Sequence, residues 1–574
     1  MYACFAAATR ARWRPVLAFG LVGALGVLAP TAARLTADPP NPAHAKKAGE
    51  GLPSGIITAE MWKQAPTTPL QAGEIDRLIS QELTRSKITP APLTTDEQFM
   101  RRVWLDLTGQ LPMPADIDEF LKDRNADKRA KMIDRLLESE PFIRHWARYW
   151  REVIASRVTD NFARISAPQF ERWMAEQIRA NKKWSEITRT LLLANGPMRF
   201  DGKEPNGPAF FLGSRRGADA STERAAETSR VFLGIQIQCA QCHDHPSDVW
   251  KRQQFHEFTA YFARLRDRPI FEEKRLVGFQ LTSVPFGEYQ MPSKDDPKRK
   301  SAVQPRFLDG KAPSRGLADT PRRTSLVDSI VSKDNPWFAA AYVNRMWGEF
   351  MGQSFYQPVD DMGPQKEAVF PTVMTRLAGS FRGSDYDTKA LLRAILNSEA
   401  YQRQIRPGES LDQHLMFASV YPTRLRADAL WQSLTGALGS LNAGPGGFGG
   451  KKGFGPGGFG GFEGQFKQEF NFDPSTRPEE VEGSVAQALM MMNNKAINQK
   501  IKATGTNLLA RILATHSDND EAVKAVYLRA LARRPTEREL TRCREHIRTV
   551  GNRAEAFEDI LWALLNSAEF QTKR

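Results

Sequence analysis

A helix-ending pattern that occurs three times constrains the fold of this chain more than any other feature of its sequence. Each copy consists of an aliphatic pair, a polar residue, a serine, two further residues and an aromatic residue, and the copies are residues 136–142, 395–401 and 564–570. Before the first and third copies, a proline stands nine residues after a valine, at Val103 with Pro112 and at Val526 with Pro535. A repeated unit of helix, proline-led turn and helix predicts a mainly α-helical protein whose aromatic residues close a hydrophobic interface. Unrelated helix ends with similar caps are the alternative explanation, and they predict the same fold class.

The first 70 residues predict export. Arg10, Arg12 and Arg14 precede an apolar run over residues 16–29, and small residues follow at 31–33. This order is typical of a cleaved secretory signal peptide over residues 1–33, and an uncleaved membrane anchor is the alternative. Residues 34–70 are rich in proline, alanine and glycine and predict a flexible tether. We therefore expect a secreted or periplasmic protein with no transmembrane span in the mature chain.

The remainder of the chain predicts a helical protein in two parts. Its 574 residues are enough for more than one hydrophobic core. Helical periodicity predicts one domain over residues 71–265 and a second over residues 314–572. Residues 266–313 predict a small connector with a β element, because residues 276–292 alternate between apolar and polar side chains. Residues 443–464 are almost entirely glycine, phenylalanine and proline and predict a flexible insertion in the second domain.

The charge pattern excludes some classes of function. The formal net charge is +14, and basic and acidic residues are mixed along the helices without a basic block or an aromatic-interleaved basic stripe. Nucleic acid is therefore not an expected partner. The sequence also lacks the Gly-x-Ser-x-Gly elbow, the phosphate loop and the His-Glu-x-x-His zinc motif. It indicates no standard hydrolase or nucleotide chemistry, and it leaves open whether the protein is an enzyme.

The segment Cys-Ala-Gln-Cys-His-Asp-His-Pro, residues 239–246, has the most specific chemistry in the chain. Cys239 and Cys242 stand three residues apart and His243 follows at once, which is the local pattern of a haem c attachment site. Both sulfurs would reach haem vinyl groups from one helical face, with His243 as the proximal iron ligand. We expect haem c as the cofactor and Met291, which precedes a proline, as the distal ligand. Haem attachment outside the cytoplasm agrees with the predicted export.

Two other interpretations of this segment remain open. Its two cysteines and two histidines, His243 and His245, are also donors typical of a zinc or iron site, with His256 as a further ligand. In such a site Asp244 and Asp248 would orient the imidazoles. A structural disulfide is the third interpretation, because the exported chain has only one other cysteine, Cys543, which we expect to be a small buried hydrophobic residue.

Two weaker groups lie in the second domain. Asp360 and Asp361 with Glu349 predict an acid pair or a cation site, and a helix cap is the alternative. Asn344 and Arg345, with two nearby tryptophans at positions 337 and 347, have the residue types of a carbohydrate or anion pocket. A core helix with one satisfied polar pair is the alternative for this second group.

Several separated motifs resemble a known pair of domains. Residues 107–112, 146–150 and 239–246 are similar to the cytochrome-like domain of unknown function, of PSCyt type, in planctomycete secreted proteins. The usual companion of that domain is also of unknown function and of PSD type, and the segments that resemble it are residues 335–338, 343–347, 358–361 and 561–570. The resemblance covers about residues 70–572 and keeps the motifs in the same order.

The resemblance implies a haem-like motif without an established reaction. Relatives often carry an additional cytochrome c domain ahead of these two, and residues 34–70 are too short for one. We expect haem c-linked electron transfer or redox sensing, with an exported redox protein or a cell-surface protein as the partner. The alternative is a haem-free binding or assembly protein of the cell surface, related to polysaccharide, with a structural or catalytic Cys/His metal site.

Overall fold

The computed structural model describes residues 54–158, 160–405, 417–441 and 461–573, with no side-chain description for residues 161–163. The predicted signal peptide, the first part of the predicted tether and most of the glycine-rich insertion lie outside the described residues. Within them, helices predominate and the strands are short, which confirms the mainly α-helical class with small β elements. No helix in the described ranges is long and apolar enough to span a bilayer.

The described residues form helices α1 to α25 and strands β1 to β9, each numbered in chain order. The helices of the N-terminal part are α1 (Ala59–Gln64), α2 (Glu74–Arg85), α3 (Asp96–Thr108), α4 (Pro114–Lys122), α5 (Lys128–Leu137), α6 (Glu140–Ala155), α7 (Asn161–Arg179), α8 (Trp184–Leu193), α9 (Ala209–Gly213), α10 (Ala220–Leu233) and α11 (Arg252–Thr259). The later helices are α12 (Asp319–Val331), α13 (Pro336–Met351), α14 (Pro371–Gly383), α15 (Thr388–Leu396), α16 (Glu399–Gln402), α17 (Ala427–Leu438), α18 (Phe462–Phe470), α19 (Val485–Asn493), α20 (Lys495–Ile501), α21 (Leu508–Thr515), α22 (Asn519–Leu531), α23 (Glu537–Val550), α24 (Arg553–Leu565) and α25 (Ala568–Gln571). The strands are β1 (Ser54–Ile56), β2 (Gly196–Arg199), β3 (Leu265–Glu272), β4 (Arg275–Ser283), β5 (Tyr289–Pro292), β6 (Lys300–Val303), β7 (Glu367–Val369), β8 (Thr423–Arg424) and β9 (Thr572–Lys573).

The β element predicted at residues 276–292 is present, but its strands do not pair with each other. Strand β4 lies between β2 and β3 in one antiparallel sheet, whereas β5 pairs with β6 in another. The tight connection of β3 to β4 explains this pairing. Glu273 and Lys274 both adopt positive φ, at 46° and 64°, which is the backbone of a two-residue hairpin turn. The hairpin therefore begins upstream of the predicted segment.

The prediction of a flexible tether is wrong for residues 54–70. Strand β1 pairs with β7, and Trp62 of α1 is buried with its ring 6.1 Å from that of Trp337. Arg376 of α14 donates hydrogen bonds to the backbone oxygens of Pro66, Thr68 and Pro69. Prolines favour an extended backbone, whose carbonyl groups can accept hydrogen bonds from another part of the chain. Composition alone does not show that such a partner exists.

The predicted flexible insertion also ends earlier than residue 464. Helix α18 begins at Phe462, whose ring lies 5.4 Å from that of Trp431 in an edge-to-face contact. Phe466 is fully buried against the same tryptophan. The aromatic residues at this end of the glycine-rich run therefore belong to a packed helix.

The hydrophobic core does not divide at the predicted connector. One cluster of buried side chains extends from Ile57 to Val420, and a second contains residues from Leu425 to Phe570 together with Leu105. Trp150 of α6 stacks on Tyr342 of α13 with ring centroids 5.7 Å apart. The two predicted helical domains thus share one core, and the separate cluster is formed by the C-terminal helices.

The three helix-ending patterns form the same local structure. Ser139, Ser398 and Ser567 are each the N-cap of the next helix, and each hydroxyl accepts a hydrogen bond from the backbone N–H of the aromatic residue three positions later. The same hydroxyls donate to carbonyl oxygens of the preceding helix at 2.7, 2.6 and 2.7 Å. The aromatic residues, Phe142, Tyr401 and Phe570, are buried. A serine that closes one helix and caps the next explains the repeated spacing.

The first and third units also share a left-handed helix end. Gly109, six residues after Val103, ends α3 with φ 65°, and Ala532, six residues after Val526, ends α22 with φ 55°. Thr95 and Thr536 form capping boxes at the starts of α3 and α23. An alanine in the left-handed region is strained, so the local packing at the end of α22 must hold it there.

Replacing Phe570 by alanine should lower the free energy of unfolding by about 3 to 5 kcal/mol, because the ring is fully buried and its removal leaves a cavity. Phe271→Ala is the matched control, since that ring is 61% exposed and its loss should change stability by about 0.5 kcal/mol or less. Denaturant unfolding followed by circular dichroism measures both. Equal effects of the two substitutions would contradict the buried role of Phe570.

Candidate cofactor site around Cys239 and His243

The Cys/His segment, residues 239–246, follows the end of helix α10 through a tightly packed glycine. Gly234 ends α10 with φ 67°, and a side-chain carbon there would lie 2.8 Å from the sulfur of Met362. A short 3-10 helix, Ile237–Ala240, comes next. Its Ile237 and Ala240 are buried and anchor the turn to the core. The segment is therefore presented on a rigid turn rather than on a free loop.

Both cysteines of the segment are free and exposed. Cys239 lies in the 3-10 helix and Cys242 follows it in a turn. Both residues are exposed to solvent on this anchored turn. Two unpaired, exposed thiols in one short turn are compatible with the haem interpretation, although Cys239 lies in a 3-10 helix rather than an α-helix.

His243 is exposed and oriented by the backbone. Its Nδ1 lies 2.6 Å from the carbonyl oxygen of Asp244. Because a carbonyl oxygen only accepts hydrogen bonds, Nδ1 carries the proton and Nε2 is left with its lone pair. A metal-ligating imidazole usually donates one ring N–H to a backbone carbonyl or a carboxylate and binds the metal through its other nitrogen. The His243 ring is held in the same way.

His245 has a different role from His243. Its Nδ1 accepts a hydrogen bond from the backbone N–H of Ser247 at 3.2 Å, and its own backbone N–H donates to the carbonyl of Trp250 at 2.8 Å. Burial and the nearby Lys366 lower the pKa of the His245 imidazole. A neutral ring that accepts from the backbone closes the turn locally.

His256 is engaged at both ring nitrogens. Nδ1 lies 3.0 Å from the hydroxyl of Tyr289, and Nε2 lies 3.0 Å from the carbonyl oxygen of Gln241. Burial, with a contribution from Arg252, lowers its pKa to about 4. The described residues contain no group of three or more His, Cys, Asp or Glu side chains that could hold a metal ion. The five predicted metal ligands are therefore not brought together, because His256 is used to tie the turn to β5.

The predicted orienting roles of Asp244 and Asp248 are wrong. The Asp244 carboxylate accepts from the backbone N–H of Arg252 and pairs with Lys251, so its carbonyl rather than its side chain holds His243. Asp248 is buried and accepts from the backbone N–H of Val249 at 2.7 Å. A side-chain carbon at Gly363 would overlap the Asp248 carboxylate, so that glycine permits the close approach of a second loop.

That second loop, residues 358–366, belongs to the C-terminal half and lies against the Cys/His segment. Met362 donates its backbone N–H to the carbonyl of Gly234 at 2.7 Å, and Lys366 donates to the hydroxyl of Ser247 at 3.1 Å. Burial and the nearby Asp361 carboxylate raise the pKa of the Cys239 thiol above its ordinary value, although Lys366 acts in the opposite direction. Cys239 is thus held as a thiol at neutral pH.

A groove of about 710 Å³ lies beside Cys242. Basic and acidic side chains line much of it: Asp219, Arg252, Arg266, Asp267, Glu288, Lys294 and Lys300. Of the described residues on β5, Tyr289, Gln290 and Pro292 line the groove, whereas Met291 does not. The position of Met291 therefore does not support a role as the distal ligand, which stays a prediction.

The predicted acid pair at Asp360 and Asp361 does not form a cation site. Asp360 is fully buried and accepts from Arg230 at 3.1 Å, from Arg157 at 3.2 Å and from the side-chain amide of Gln236 at 2.8 Å. Burial acts to raise its pKa, but the arginines outweigh it and hold the pKa below the usual value. Asp361 instead lies nearer the surface and pairs with Lys366 at 3.1 Å.

Of the other predicted pocket residues, Arg345 lines a cavity and the others pack in the core. Asn344 bonds the backbone of Tyr356 and Val359, and Trp347 is fully buried. Trp337 packs on Trp62, as described above. Arg345 lines a small cavity, as the anion interpretation expects. As predicted, Cys543 is buried, and burial raises the pKa of its thiol to about 11.

A buried charged cluster lies behind that cavity, and no sequence pattern predicted it. Arg426 contacts Nε2 of His145 at 3.1 Å and lies 3.6 Å from both Asp428 and Glu152. Burial and the Asp428 charge raise the pKa of Glu152 to about 7. Arg-Ala-Asp at a helix start looks ordinary in sequence, and its partners come from α6, more than 270 residues away.

Two known protein families match successive parts of this chain. Residues 74–267 match the PSCyt2 family, described as a protein of unknown function (DUF1549). Residues 322–453 match the PSD1 family, described as a protein of unknown function (DUF1553). No curated protein and no solved structure matches this chain. The predicted pairing of the two domains is confirmed.

Asp360→Asn should lower the free energy of unfolding by about 3 to 5 kcal/mol at neutral pH, because it removes the buried negative charge to which Arg230, Arg157 and Gln236 donate. The pKa of Asp360 lies below its unfolded value, so its contribution is present above pH about 4 and is lost as the pH falls further. The difference between variant and native protein should therefore shrink in acid. Asp361→Asn is the control, since its surface ion pair contributes about 1 kcal/mol or less. Denaturant unfolding at pH 7 and pH 3 tests this, and equal costs at Asp360 and Asp361 would contradict it.

Proposed function

We propose that this chain, which joins the PSCyt2 and PSD1 domains of unknown function, is an exported haem c protein that transfers electrons or senses redox state. The presentation of the Cys/His segment is the observation that carries the proposal. Both cysteines of the anchored turn are unpaired and exposed, and Cys242 is followed by a histidine whose Nδ1 is held by a backbone carbonyl. An exported redox protein or a cell-surface protein is the proposed partner.

The residues present fit covalent haem better than a metal ion. Attachment adds each thiol across a vinyl group, so that a carbon–sulfur bond forms and the thiol hydrogen passes to the neighbouring carbon. No oxidant is needed for this addition. Burial and Asp361 keep Cys239 protonated, which disfavours the thiolate that zinc or a disulfide-exchange reaction requires. The attached iron would supply one-electron chemistry.

The chain would contribute orientation and charge. Asp244 holds the His243 ring through its carbonyl, and the 3-10 helix anchors the backbone at Cys239. Arg252, Lys294 and Lys300 line the groove beside Cys242, and their charges suit the carboxylates of haem propionates. His256 and Tyr289 brace the groove wall through their mutual hydrogen bond.

A haem-free binding or assembly protein of the cell surface is the second candidate function. The observation that favours it is the groove itself, whose charged lining resembles a binding surface and does not include Met291. In this case the cysteines and histidines of the segment would serve the local structure only. The two functions differ in cofactor content, which is directly measurable.

The haem proposal predicts an asymmetry between the two histidines. Protein exported from a haem-ligating host should show a Soret band and a mass increased by one haem. His243→Ala should alter the spectrum strongly, because it removes the proximal ligand. His245→Ala should leave the iron spectrum nearly unchanged and mainly loosen the turn, because His245 bonds only to the backbone of that turn.

Other outcomes select other functions. A mature mass without haem and no Soret band would exclude the haem proposal. Stoichiometric zinc or iron that falls equally in both histidine variants would favour a metal site. Cys239→Ser and Cys242→Ser check the anchors, since each should leave haem held by a single thioether bond at most.

A further inference from the structure

A second site lies in a cavity of about 70 Å³ between the end of α13, the loop before β7, strand β8, residues 472–478 and strand β9. Five cationic side chains line it: Arg345, Arg424, Arg426, Arg477 and Lys573. Glu349 is the single carboxylate among its described lining residues. We propose that this cavity binds one oxyanion group, a carboxylate, sulfate or phosphate, either as a free ion or as part of a larger acidic molecule.

Three of the five cations are held in place by carboxylates. Lys573 contacts Glu349 at 2.7 Å and Asp106 at 3.1 Å. Arg426 is anchored by Glu349 and by the charged cluster behind the cavity, and Arg345 lies 3.9 Å from Asp360. Apart from Glu349, these carboxylates do not line the cavity. Carboxylates outside the cavity therefore hold these buried cations in place, and the cations still line the cavity.

The remaining two cations are not compensated in this way. Arg424 donates to the side-chain amide oxygens of Gln487 at 3.2 Å and Gln571 at 3.5 Å, and no ion pair is found for it within the described part of the chain. The nearest carboxylate to Arg477 is Glu480, at 4.0 Å. The Nε of Arg477 is buried without a hydrogen-bond partner. Both guanidinium groups thus have donor capacity and charge available for an anion.

Ser475 supplies a further donor at the cavity wall. Its hydroxyl oxygen accepts hydrogen bonds from Arg230 at 3.0 Å and Arg345 at 3.1 Å. These two bonds occupy both lone pairs, so the hydroxyl can interact further only by donating its proton. The described residues provide no acceptor for that proton. Ser475 is itself buried, and an oxyanion in the cavity would satisfy this donor.

The size of the cavity restricts the ligand. A volume of about 70 Å³ has room for several water-sized groups, which suits a single oxyanion group and not a sugar ring. Half-exposed Arg477, Pro478 and Val481 line the cavity, which permits the rest of a larger ligand to extend outward. No residue of the Cys/His segment lines it, so this site does not depend on the haem proposal.

Calorimetric titration with sodium sulfate, phosphate, acetate and a galacturonate oligomer, at constant ionic strength, tests the proposal. The native protein should bind at least one of these probes with saturation. Arg424→Gln should weaken that binding about tenfold or more, because it removes an uncompensated charged donor without leaving an unpaired carboxylate. Arg529→Gln is the matched control, since Arg529 is also half-buried and pairs with no carboxylate in the described structure, but lies outside the cavity.

Each outcome is decisive for the site. Saturable binding that is weakened in Arg424→Gln and unchanged in Arg529→Gln supports the proposed site. The probe that binds most tightly then shows whether the ligand is a free ion or a group on an acidic oligomer. If Arg424→Gln does not fold, Arg477→Gln at the exposed side provides the same comparison. Equal binding by the cavity variant and the control, or no saturable binding to any probe, overturns the proposal. Cys239→Ser should bind the anion as the native protein does.

Discussion

The arrangement of the two domains depends on the ion pairs that the buried carboxylate of Asp360 forms. It receives Arg230 from α10 and Arg157 from the end of α6, and both arginines belong to the N-terminal half. A carboxylate without solvent is costly unless charge and hydrogen bonds offset its desolvation. The loop over residues 358–366 therefore has one favourable position, with Asp360 directed inward and Asp361 left near Cys239. One loop that packs against the Cys/His segment therefore comes from the companion domain.

This dependence gives a physical reason for finding the two domains in one chain. The N-terminal half supplies the thiols and His243, but the loop that packs on them comes from the other half. The aromatic core crosses the same boundary, with Trp146 of α6 against Phe350 of α13 at 5.5 Å between ring centroids. Separating the halves would expose these rings and leave Asp360 without Arg230 and Arg157. We interpret the described residues between positions 54 and 420 as one folding unit, with the C-terminal helices as a second cluster.

Local patterns predicted local structure, and long-range partners were not predictable from them. The serine that ends one helix and caps the next is encoded within seven residues, so all three copies could be identified from the sequence. By contrast, Asp360 and Asp361 look alike in sequence, and only partners more than 120 residues away separate a buried bridge from a surface ion pair. The packing of residues 54–70 against β7 and α14 was missed for the same reason.

Asp360 also links the Cys/His segment to the arginine-lined cavity. Gln236, which lies just before that segment, donates a hydrogen bond to it, and Arg345, which lines the cavity, lies close to it. The distances show how strongly the two sites can influence each other. Arg230 and Arg157 lie 3.1 and 3.2 Å from the carboxylate, whereas Arg345 lies 3.9 Å away and bonds Ser475 instead. An anion that attracts Arg345 would remove the weakest of the three ion pairs and leave the two hydrogen-bonded ones. The position of the 3-10 turn should therefore be nearly independent of the cavity's occupant, which makes the two sites separable in function.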